Sequence, residues 1–96
     1  MNGARGEVSL DVAGHKRVLC LTLGALAEIE SAFGCASLAD LQARMRRLSA
    51  AELLKLVSIL IKGGGEQVDP DALAQLNIQP AAAAVAVAEA FRAGVG

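Results

Sequence analysis

The sequence predicts an α+β fold: an N-terminal two-stranded β-hairpin packed on a bundle of four to five short α-helices. Three observations carry this reading. Apolar residues alternate with polar ones from Glu7 to Val12, and past Thr22 they recur at helical spacing, so the period switches from two to 3.6. Short hydroxyl and carboxylate side chains stand just before the helical runs, where an N-cap oxygen accepts from an orphan amide. Glycine or proline marks the junctions at Gly14, Gly34, Gly63, Pro70 and Pro80. The chain has 96 residues and no stretch of linker composition, so 1–96 reads as a single domain.

The hairpin is expected over about 6–22. Val8, Leu10 and Val12 alternate with Glu7, Ser9 and Asp11, which gives one apolar and one wet face. Ala13-Gly14-His15-Lys16 is the reversal, with Gly14 supplying the positive φ of a tight turn. A two-residue turn is expected to set Leu19 and Leu21 opposite Leu10 and Val8, all on the face that needs a cover.

Helices supply that cover. Thr22 caps a first helix, about 23–33, that carries Leu26, Ile29 and Phe33 and stops at Gly34. Ser37, with Asp40 three residues on, opens a second over about 38–47, whose stripe is Leu38, Leu41, Met45 and Leu48. Ser49-Ala50-Ala51-Glu52 is a capping box and starts the third, about 50–62, which is apolar around most of its circumference. Such a helix either lies at the centre of the core or reserves one face for a partner. Asp69-Pro70 opens a short helix, about 70–76, and Gln79-Pro80 the last, about 81–93, rich in alanine, with Val87, Phe91 and Val95 spaced by four.

Composition excludes several function classes. Hydrophobic residues make up 54% of the chain, yet twenty are alanine and there is no tryptophan or tyrosine, so core volume is limited and a partner covering apolar surface would add stability. A homo-oligomer fits the same argument. Nine basic and ten acidic side chains give a net charge of −1, which offers no positive excess for nucleic acid. Met1 to Glu7 lacks the apolar run of a secretory leader, and Ala81 to Ala88 is too short to span a bilayer, so the expected location is cytoplasmic with no membrane partner.

The polar residues do not converge on a catalytic, metal or cofactor site, and the reading is of a non-enzyme without cofactors. His15 falls in the turn, and one histidine with two distant cysteines lacks the spacing of a zinc site. Cys20 and Cys35 read as reduced packing residues. Glu28 and Glu30 point to different sides of their helix. Gly63-Gly64-Gly65 follows a helix and is not closed by Gly-Lys-Ser/Thr, so it reads as a flexible loop rather than a phosphate cradle. The expected activity is protein binding on the helical half, through Leu53, Leu56 and Leu60 with Leu41 and Met45 of the neighbouring stripe. Arg44, Arg46 and Arg47 at its edge would attract an acidic partner surface.

The run Arg5-Gly6-Glu7-Val8, the hairpin, then Leu21-Thr22-Leu23-Gly24-Ala25-Leu26-Ala27-Glu28-Ile29-Glu30 with Phe33-Gly34 resembles the small tail protein of gene transfer agent clusters, a family grouped with phage tail assembly chaperones. The similarity extends to the last helix through Leu38, Leu41, Leu48-Ser49 and the glycine-rich break, with Leu21 to Glu30 its specific part. The resemblance implies a cytoplasmic chaperone, encoded in a prophage-like cluster, that binds the tape measure protein, keeps its apolar helices soluble and yields to the tail tube protein. The alternative it carries is a structural tail tube component, or another small interaction domain. Two strands suit the chaperone better, since tube proteins usually build rings from a larger β-structure. The family supplies no catalytic residues to carry over, and neither cysteine belongs to its motif.

Overall fold

The computed structural model describes residues 6–95, apart from the Val95 side chain. Arg5 of the N-terminal motif therefore lies outside the described residues, as does the side chain that Val95 would add to the last apolar stripe. In chain order the elements are β1 (Glu7–Val12), β2 (His15–Cys20), α1 (Leu23–Phe33), α2 (Leu38–Met45), α3 (Ala50–Gly63), α4 (Pro70–Ala74) and α5 (Pro80–Val95). This is the expected α+β architecture of one antiparallel hairpin and five helices.

The hairpin closes through Ala13 at φ 52° and Gly14 at φ 84°, two consecutive left-handed residues, as a two-residue turn that follows strand twist requires. Val12 therefore faces His15, Leu10 faces Arg17 and Val8 faces Leu19. The pairing expected from sequence, Leu19 with Leu10 and Leu21 with Val8, is displaced by two residues because the turn begins at Ala13 despite its Cβ. A shift of two preserves the faces. Leu10, Val12, Leu19 and Leu21 are all buried, as the alternation demanded. The price is Arg17 on the inner face: its guanidinium reaches Glu66, beyond α3, while its Nε is buried without a hydrogen-bond partner among the described residues.

The helix starts follow their caps. Thr22 Oγ1 accepts from the Ala25 amide at 3.0 Å, Ser37 Oγ from Asp40 at 3.2 Å and Ser49 Oγ from Glu52 at 3.1 Å. The Glu52 carboxylate accepts in turn from the Ser49 amide at 2.9 Å and completes the capping box. Asp69 sits at the start of α4 without a side-chain cap bond, and Pro70 alone sets the helix entry. At Gly34, φ 66°, the Cys35 amide bonds back to the Glu30 carbonyl, which ends α1 in a Schellman turn. Two ends differ from expectation. Arg46 and Arg47 bond to the Ala43 and Arg44 carbonyls, tightening α2 into a turn after Met45, and the Gln75 and Leu76 amides do the same after Ala74.

α3 is the central helix. Leu56, Val57, Ile59, Leu60 and Ile61 are buried, and the helix packs on β2, α1, α4 and α5. Its C-terminal end meets β2 closely. A Cβ on Gly63 would lie 2.1 Å from the Cys20 carbonyl oxygen, and one on Gly64 would lie 2.3 Å from that of Val18. These glycines are thus the contact surface between helix and strand, and the flexible loop read from the sequence is corrected on that ground. Gly63 is still helical, and the reversal falls at Gly65, φ 106°.

Candidate partner-binding surface

The structure divides the residues expected to meet a partner. Leu41, Leu56 and Leu60 have no exposed surface and belong to the interior. Leu53 and Met45 are half-buried against the core, with part of each side chain open, and Arg46 and Arg47 are exposed on the turn after α2. The division follows from the course of α3. Its C-terminal half is enclosed by β2 and α1, whereas at its N-terminal half Leu53 and Leu54 emerge beside α4 and α5.

Arg44 is committed to the fold. Its guanidinium pairs with Glu52 and lies over the Phe33 ring, 5.5 Å from the centroid, so one side chain ties α1, α2 and the start of α3 together. The Glu52 carboxyl is held below its ordinary pKa, chiefly by the hydrogen bond from the Ser49 amide; desolvation is the next effect and opposes it, and the hydrogen bond and charge of Arg44 lower it further. This cluster anchors the helices around the surface.

On either side of Leu53 lies an apolar cleft. One, about 330 Å³, is walled by Met45 and Leu48 at the end of α2 and by Ala84, Val87, Ala88 and Phe91 of α5. Gln42 and Arg92 are its polar lining. The other, about 220 Å³, runs between α3 and the α4–α5 connection, where Leu54, Leu73, Leu76 and Ile78 meet Pro80 and Ala83. Leu53 lines both and forms the ridge between them. The α5 wall escaped the sequence reading, which noted only the spacing of Val87 and Phe91 and gave them no part in partner binding. Its signal was the alanine content: Ala84 and Ala88, four apart on one side, are too small to fill the space above the core.

The remaining polar candidates do not join this surface. His15 is exposed beside the hairpin turn, Cys20 is half-buried on β2, and Cys35 is half-buried with its Sγ 3.9 Å from the Phe33 carbonyl oxygen. Among the described residues no group of His, Cys, Asp or Glu is placed to hold a metal ion. No helix among them is long and apolar enough to cross a membrane.

What the fold and this surface define is a small hairpin-and-helix protein whose outward chemistry is apolar area edged by arginine. Its family is a tail family. The family model described as "Phage tail tube protein, GTA-gp10" matches residues 5–96, and the chain belongs to that family of gene transfer agent tail proteins. No curated protein and no solved structure matches the chain.

Proposed function

We propose that this protein is a tail assembly chaperone that binds the tape measure protein in the cytoplasm before the tail tube forms, by contact rather than by catalysis. The observation that carries the reading is the paired apolar cleft about Leu53. Open apolar area between helices suits capture of an apolar helical segment, and covering it adds stability to a chain with little core volume. Membership of a tail family supports partners from the tail.

A second reading, a structural component of the tube, is favoured by the family's own description as a tail tube protein. The single two-stranded sheet among the described residues supports the chaperone instead, because rings of tube subunits usually close through larger β-structure. Particle composition separates them. For a chaperone, quantitative mass spectrometry of purified transfer particles finds the protein absent, while co-expression with the tape measure protein yields a soluble complex. Abundance in finished particles, at the level of a repeating subunit, overturns the chaperone in favour of the tube.

A further inference from the structure

We infer that the cleft between α2, α3 and α5 takes an amphipathic helix flanked by acidic side chains, a proposal that rests on the partner-binding reading above and names the chemistry of the partner segment. The cleft has helical walls and an apolar floor. Val87 and Phe91 lie buried at its base, while Ala84 and Ala88 leave α5 low along one stripe, which lets a third backbone approach closely. Its charge is one-sided. Among the described residues Arg92 is the only charged one lining it, and Arg46 and Arg47 stand in the chain between the lining residues Met45 and Leu48.

The other arginines among the described residues are occupied: Arg17 by Glu66 and Arg44 by Glu52. Arg46, Arg47 and Arg92 are exposed and form no ion pair among the described residues. The α2 helix end accounts for one nearby cation, since a positive charge near a C-terminus is favourable. Arg92 stands in the last turn of α5 and is favoured there in the same way, but it reaches the same cleft from a different helix, so the two helix ends converge their positive charge on one groove. Three guanidinium groups without an ion pair among the described residues, at an apolar groove that none of those residues lines with a carboxylate, complement glutamate or aspartate on the rim of an incoming helix. They disfavour a basic one.

The test uses two synthetic fourteen-residue helical peptides with identical leucines at i, i+3, i+4 and i+7 and either glutamate or lysine at the flanking positions. Binding to the full chain is followed by fluorescence anisotropy at low and high salt. The glutamate peptide is expected to bind at least about tenfold tighter at low salt, with the advantage shrinking as salt screens the pair. Joint Arg46→Glu, Arg47→Glu and Arg92→Glu substitution is expected to reverse the preference, and Ala88→Trp, at an exposed position, to weaken both peptides with the melting temperature unchanged. Chemical-shift mapping on the unsubstituted chain needs no variant to fold, and its largest changes are expected at Met45, Leu53, Ala84 and Ala88. Equal binding of the two peptides, binding of neither, shifts centred elsewhere, or a second copy of the chain seated in the cleft by sedimentation and mapping would each overturn the proposal. If the tape measure protein binds while neither peptide does, this inference fails and the chaperone reading stands. If the glutamate peptide binds as described and the tape measure protein does not, the cleft stands and its assigned client is wrong.

Discussion

The two ends of α3 are built on opposite principles. At the C-terminal end, side chains are removed altogether: Gly63 and Gly64 let the helix backbone rest on the Val18 and Cys20 carbonyls. Toward the N-terminal end, leucines are present but under-covered, and Leu53 divides two open clefts. Close approach needs no partner because the chain's own backbone fills the space, whereas apolar side chains facing alanine leave room that only another molecule fills. Position along one helix therefore separates what holds the fold from what is offered outward.

The comparison breaks first on leucine truncation. Leu60→Ala, fully buried, is expected to cost about 3 kcal/mol, a large fraction of the stability of a chain this size, while the half-buried Leu53→Ala costs about 1 kcal/mol. Urea unfolding measures both, and equal losses would erase the distinction between the two ends. Tape measure binding should show the reverse order, with Leu53→Ala impaired while still folded.

Next comes Gly63→Ala. Alanine favours a helix, yet here its Cβ meets a strand carbonyl, so the variant is expected to lose about 2 kcal/mol. A melting temperature equal to or above that of the original chain would show that helix and strand part at no cost. Ser49→Ala, which removes the N-cap oxygen at the open end, is expected to cost about 1 kcal/mol in the same assay.

The smallest expected effect is in acid. Because the Glu52 pKa is lowered on folding from about 4.5, its contribution is complete above that value and is lost as pH falls through the lower folded one. Glu52→Gln keeps a side chain able to close the capping box but cannot titrate. Its stability is expected to fall less steeply than that of the original chain below about pH 4.5, and parallel curves would remove Glu52 from the account.

Most of the fold was legible because its signals are local. Thr22, Ser37, Ser49 and Gly34 act within a few residues of themselves, so the sequence places these boundaries without knowledge of the rest. What escaped depends on distant contacts or on a choice between equivalent turns. Gly14 supplies a positive φ in either of two registers, and the left-handed Ala13 that decides between them leaves no mark in its residue type. The role of Gly63 appears only once β2 lies across it, and a run of three glycines reads as slack until then. At the surface, the leucine stripe pointed to the half of the molecule that carries the two open clefts but not to Leu53 over Leu56 or Leu60, since an almost wholly apolar helix does not say which side its neighbours leave open.

The close seat of α3 on β2 also bears on how the hairpin behaves in company. In an antiparallel pair with this register, Val18 and Cys20 turn their backbone groups away from β1, toward the sheet's outer edge. Exposed edges of that kind invite strands from other chains and lead to aggregation. Here the glycine end of the helix covers the two outward carbonyls, a plug made of backbone alone. A larger residue at either position would dislodge the plug as well as loosen the core, so strand-templated aggregation is the added hazard of substituting Gly63 or Gly64.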